Sequence, residues 1–206
     1  MLPAAFFVPI IHEWVKARVS TALGDPTPRY NGFTKGNLLK YFEPIGFIFM
    51  LAFQVGWGQP VPTSAVYYKD KRKGILLTYL TPMVVNLMLG LFTAWLVGRF
   101  WPTFRGWSLS MQYINGIDWM PLFVSYLQIM VMHFALFNVG LALFNLIPVY
   151  PLAGSKLIQL IASPDTAMRM SHFEKPLQIL LILALSFHLL NPLIFTLRNN
   201  LILMVM

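Results

Sequence analysis

The sequence predicts an all-α integral membrane protein of one domain, with about four spanning helices and a short apolar segment that re-enters or forms a fifth span. Three observations predict it. Of the 206 residues, 57% are hydrophobic and 11% charged, with a mean hydropathy of +0.65, whereas soluble domains carry roughly 25% charged residues. The apolar residues come in blocks near the ~20 residues that cross a hydrocarbon core as a helix. The cations collect in short loops beside those blocks, as a topology signal does.

Residues 1–23 form the first expected span, apolar at first and then carrying His12, Glu13, Lys16 and Arg18. Such groups must face protein or snorkel to an interface. With no basic start ahead of His12, a cleavable signal peptide is not expected. Residues 41–57, with Glu43 and Pro44 near their start, are short for a span. The run Lys69, Asp70, Lys71, Arg72, Lys73 is the strongest cytoplasmic signal, and Arg29, Lys35 and Lys40 make the loop before Tyr41 basic too. Both loops stay on one side if 41–57 dips in and returns, which is the favoured topology. Residues 74–98 are uncharged and form the clearest span; 119–150 and 177–197 are the other two. Asn138, Asn145, His133 and His188 inside them need partners away from lipid.

A net charge of +8 raises nucleic acid as a partner, but the cations flank apolar runs instead of lining a face with interleaved aromatics, so the bilayer is the expected partner. The absence of cysteine removes disulfides and thiolate metal ligands. The 12 methionines are most simply core filler.

The chemistry lies in Val8–Val19, "VPIIHEWVKARV". His12 and Glu13 open the helical pattern His-Glu-x-x-His, in which two histidines on one face grip a zinc and the glutamate acts as general base for its water. Lys16 stands where the second histidine belongs. A lysine is a protonated donor with no lone pair to offer. Three residues from Glu13, it is instead spaced for an ion pair.

Other stretches give the pair a context. Gly24-Asp25-Pro26-Thr27-Pro28 follows the first helix, Gly56-Trp57-Gly58-Gln59-Pro60-Val61-Pro62 follows the second apolar segment, and Asn145-Leu146-Ile147-Pro148-Val149-Tyr150-Pro151-Leu152-Ala153-Gly154 closes 119–150. In order and spacing these resemble the site-2 protease family of intramembrane zinc metalloproteases, in its compact bacterial branch without a PDZ insertion. The resemblance runs from about Val8 to about Ile161. It implies a site-2 protease-like core in a bacterial cell membrane, with the site near the cytoplasmic face.

The family pattern Asn-Leu-x-Pro-x-x-Pro-Leu-Asp-Gly is the most specific of these, and its aspartate is the family's third zinc ligand. Here that position is Ala153. The resemblance therefore leaves His12 as the one retained ligand, Glu13 as a vestigial catalytic base, and Lys16 and Ala153 at the two other ligand positions. Replacement from His133, His172 or His188 is a weaker alternative, since zinc needs three or four well-placed ligands. The family's Ala-Gly-Pro before an asparagine is here Leu80-Thr81-Pro82 ahead of Asn86, and its Gly-Arg-Leu-Thr-like strand is Gly32-Phe33-Thr34-Lys35. Asn145 and Pro148 match the family's substrate-holding motif; equally, Asn145 is a tie between helices and the prolines and glycines are turn punctuation.

The expected function is a non-catalytic pseudoprotease, without bound zinc, that holds a partner or substrate transmembrane helix. The alternatives are an active intramembrane zinc metalloendopeptidase with unconventional ligands and a small transporter, the latter without a convincing pair of inverted repeats.

Overall fold

The first helix, α1 (Leu2–Ala22), is 21 residues long and buries a face that includes Ala4, Ala5, Val8, His12, Glu13 and Lys16. The computed structural model describes residues 1–115, 119–150, 152–162, 166 and 173–206, and among these every regular element is helical, with no strand. A short α2 (Thr27–Tyr30) follows, and then α3 (Pro44–Phe53). The long α4 (Lys71–Asn115) pairs with α5 (Met120–Asn145). The chain closes with α6 (Ala153–Ile161), α7 (Glu174–Ser186) and α8 (Asn191–Leu203). Pro151 and His172, both named above, lie outside the described residues.

Among the described residues, two helices are long and apolar enough to cross a bilayer: Lys71–Met111 within α4, and α5. A third span results if α7 and α8 count as one, although their axes bend by 72°. Helix α1 has the length, but Glu13, Lys16 and Arg18 from its middle onward set it apart from those spans, each of which holds a long apolar window.

Three expected segments differ in shape. The block 74–98 is part of a 45-residue helix, about 68 Å long at 1.5 Å per residue, which exceeds the ~30 Å hydrocarbon core. Beyond Gly98 the helix continues as a chain of touching rings, Trp95 with Phe100, Trp101 with Phe104 and Phe104 with Trp107, the composition of a membrane interface. The block 119–150 is helical only to Asn145. The block 177–197 is broken: His188 takes a left-handed backbone (φ 57°), with His188 N–H on Leu185 O and Leu189 N–H on Ala184 O. That paired arrangement is a Schellman stop, usually made by glycine, and Pro192 then sits in the first turn of α8, where its missing N–H costs nothing.

Residues 41–57 double back. Pro44 starts α3, and the Glu43 side chain accepts from Gly46 N–H as an N-cap. At 10 residues, α3 is about 15 Å long. Gln54 ends it in a left-handed conformation (φ 58°), and the returning segment lies so close that a Cβ on Gly46 would stand 2.1 Å from the Trp57 carbonyl oxygen. Glycine at 46 is what permits this contact.

The main core joins α1, α3, α5, α7 and α8 through Val8, Met50, Phe137, Phe144, Leu185 and Ile194. Helices α4 and α5 meet over Gly90, Ala94, Ala135 and Val139, small residues that let backbones approach.

Candidate functional site

Glu13 stands at the centre of the polar core. Its buried side chain takes two donors on one oxygen: Lys16 Nζ at 3.2 Å and the Val61 backbone N–H at 2.8 Å. The ion pair expected from the i, i+3 spacing is therefore present and buried. Helix α1 supplies both members, while Val61 comes from the Pro-rich segment returning from α3, anchored where Gln59 N–H meets Tyr41 O at 2.8 Å. Gly58 belongs to the same contact, since a Cβ there would lie 3.2 Å from Glu13 Cγ and 2.9 Å from Pro9 O. Lys16 Nζ also faces the Tyr79 ring at 5.1 Å, a cation–π arrangement that stabilises a desolvated ammonium.

His12 lies one residue away, buried beside the Asn86 amide of α4. Among the described residues, its Nδ1 and both polar atoms of the Asn86 side chain are buried without a partner at ordinary hydrogen-bond geometry, although the two side chains lie side by side. Buried polar atoms usually find partners, so this corner has spare hydrogen-bonding capacity.

The distant motif arrives from α5. Asn145 Nδ2 donates to Leu141 O at 3.0 Å, and its Oδ1 accepts from Ala153 N–H at 3.4 Å. The amide thus ties the end of α5 to the start of α6. His12, Glu13, Trp57, Gly58, Asn145 and Leu152 enclose a cavity of about 20 Å³, room for one water-sized particle. The buried Ala153 follows Leu152 directly.

Among the candidates from sequence, His12, Glu13 and Asn145 share this cavity, Lys16 pairs with Glu13, and Ala153 bonds Asn145. Pro148 is exposed on the turn after α5 and does not line the cavity. His133 is turned to the Ile129 carbonyl of its own helix at 2.6 Å, and His188 to Asn191 at 2.7 Å. Among the described residues, no three His, Asp or Glu side chains gather as a metal-binding group. Sequence reasoning missed the Val61 N–H and the Tyr79 ring, and it gave Asn86 no part beside His12. Asn86 did carry a signal, as the lone amide in the apolar block 74–98.

Next to the site, the Gly24–Pro28 turn is pinned by Asp25. Its carboxylate accepts from Ser20 Oγ (2.8 Å), Thr27 N–H (2.9 Å) and Ser64 N–H (2.7 Å). Burial pushes the Asp25 carboxyl up, but the hydrogen bonds from Thr27, Ser64 and Ser20 outweigh it and hold the group below its usual range. Ser20 Oγ also meets Tyr68 Oη at 2.8 Å, which bonds Thr78 at 3.0 Å, so α1, the 61–68 segment and α4 are locked together.

Against known proteins, this chain is 28% identical over 167 residues to the Bacillus subtilis (strain 168) protein "Putative zinc metalloprotease YwhC", covering 80% of this chain and 69% of that one. No family model matches the chain. No solved structure matches it.

Proposed function

We propose that this chain is a site-2 protease-like membrane protein that has given up its zinc and acts by binding a transmembrane helix of a partner or former substrate. The observation that carries the reading is the Lys16 ammonium 3.2 Å from the Glu13 carboxylate. A general base must be free to take a proton from water, whereas this carboxylate is already neutralised by a cation and held by the Val61 N–H.

The donor set does not fit zinc. Of the four positions at issue, His12 offers one imidazole, the Glu13 carboxylate is committed, Lys16 presents hydrogens and Ala153 presents a methyl group. Protein zinc sites need three or four well-placed N, O or S ligands. No hydrolytic step is assigned to the site for that reason.

In this reading α1, α5 and the α7–α8 pair complete the spans, about four with α4, residues 41–57 re-enter, and Lys69–Lys73 keep the site near the cytoplasmic face. The second reading, an intramembrane zinc metalloendopeptidase with unusual ligands, draws on the name of the Bacillus relative and on the unpartnered Nδ1 of His12. Restoring both lost positions separates the two. Lys16→His with Ala153→Asp is expected to create zinc binding that the natural chain lacks; zinc already present in the natural chain, with no gain in the variant, would favour the second reading.

A further inference from the structure

The α7–α8 pair breaks between Ser186 and Asn191, close to the middle of the uncharged block 177–197. Its inner side is packed: Leu185 and Ile194 enter the main core, and the His188 ring meets that of Phe53 in α3 with centroids 5.3 Å apart. The outer side is open. Ser186, Phe187, His188 and Leu189 are exposed, Phe187 at 71% and Leu189 at 69%.

That open side is also short of hydrogen bonds. The stop at His188 occupies the carbonyls of Ala184 and Leu185, but among the described residues the Ser186, Phe187 and Leu189 carbonyl oxygens accept no backbone hydrogen bond. Pro192 has no N–H to reach back to them, and Ser186 Oγ turns to the Ile182 carbonyl at 2.9 Å. Asn191 Nδ2 donates to His188 Nδ1 at 2.7 Å. In the neutral ring Nε2 then carries the proton and is a donor.

Lipid tails cannot satisfy these groups. Irregular backbone at membrane depth persists only where protein or a water-filled cavity covers it, and the exposed Leu183, Phe187, Leu189 and Leu193 around the break are a surface for helix packing, not for water. A covering helix satisfies its own backbone, so what it can bring is a side chain. Three free carbonyls and one N–H call for a side chain that both donates and accepts, which means a hydroxyl or an amide.

We propose that the break in the α7–α8 pair is the docking face for a partner's transmembrane helix, and that this helix is recognised through a Ser, Thr, Asn or Gln side chain. The inference rests on the helix-binding reading above and gives it a location and a chemistry. It does not depend on whether zinc is bound at the Glu13 cavity.

The test uses the full chain in phosphatidylcholine liposomes with two synthetic leucine-based transmembrane helices, one with a central serine and one without. Each peptide carries a single cysteine, and because the natural chain has none, disulfide cross-linking reports position. Leu189→Cys is expected to cross-link the serine peptide about threefold more than the all-leucine peptide, the scale of one interhelical hydrogen bond. Met88→Cys, on the exposed face of α4, is expected to capture neither. Glycine keeps the left-handed stop, so adding His188→Gly to Leu189→Cys is expected to leave Tm unchanged while removing most of the preference for serine. Should that variant fail to fold, the comparison of peptides decides alone. Equal capture of the two peptides at Leu189→Cys, or an undiminished preference in His188→Gly, would overturn the proposal. Capture at Met88→Cys instead would overturn this docking face and leave helix binding standing, whereas no capture at either position would count against both. Cross-linking of Leu189→Cys chains to one another, undisturbed by peptide, would assign the face to a second copy and overturn the partner helix.

Discussion

At Glu13 a carboxylate, an ammonium and a backbone N–H satisfy one another inside a water-poor core. Removing one partner of such a pair leaves an uncompensated buried charge, which costs about 3–5 kcal/mol. Lys16→Met is therefore expected to destabilise the protein by about 3 kcal/mol, read as a loss of Tm in detergent, while Lys16→Met with Glu13→Gln recovers most of it. An unchanged Tm in the single variant would show that the pair contributes nothing. Asp25 gives a pH signature of its own. Because its folded pKa lies below the ordinary value, its contribution is complete above the unfolded carboxylate range and is lost as pH falls through the folded pKa. Stability followed by intrinsic fluorescence is expected to fall in the natural protein as pH drops through the folded Asp25 pKa, and Asp25→Asn is expected to flatten that dependence while lowering stability at neutral pH.

Among the elements, the α4–α5 contact has little spare room. A Cβ on Gly90 would stand 2.6 Å from Val139 Cγ2 and 2.9 Å from the Ala135 carbonyl oxygen, so Gly90→Leu forces the helices apart. Overpacking of this kind costs typically 1–3 kcal/mol, and the variant is expected to unfold at lower temperature than Leu91→Ala, which only trims the same interface. Much of this element scale was legible in the sequence: the charge-free block 74–98, the apolar start of α1, and the short segment at Pro44 whose length argued against a span. The breaks were less legible. His188 stops α7 through a left-handed backbone, and nothing in an imidazole announces that role as a glycine would. The continuation of α4 past Gly98 was hidden because Arg99, Pro102 and Arg105 punctuate the sequence, while a run of ring contacts, two edge-on and one stacked, follows the helix there.

For the whole molecule, the central issue is how pieces far apart in sequence converge on one small cavity. His12 and Glu13 from α1, Trp57 and Gly58 from the segment returning from α3, and Asn145 from α5 meet around it. The convergence was foreseeable only from the resemblance, since apolar periodicity says which segments are helices and not which faces meet. The Val61 N–H on Glu13 was not legible at all, because a backbone donor has no side-chain signature. Topology has its own test. The chain has no cysteine, so single cysteines at the exposed Tyr67 and Tyr113, which flank the span in α4, are expected to react with membrane-impermeant reagents from opposite sides, Tyr67→Cys from the cytoplasm. Labelling of both from one side would remove α4 as a crossing helix.

The reading of a relinquished metal site stands or falls on zinc content. Metal analysis of the natural chain, purified without chelator, is predicted to give zinc well below one ion per chain, with no change in His12→Ala. One zinc per chain, lost in His12→Ala, would contradict the account.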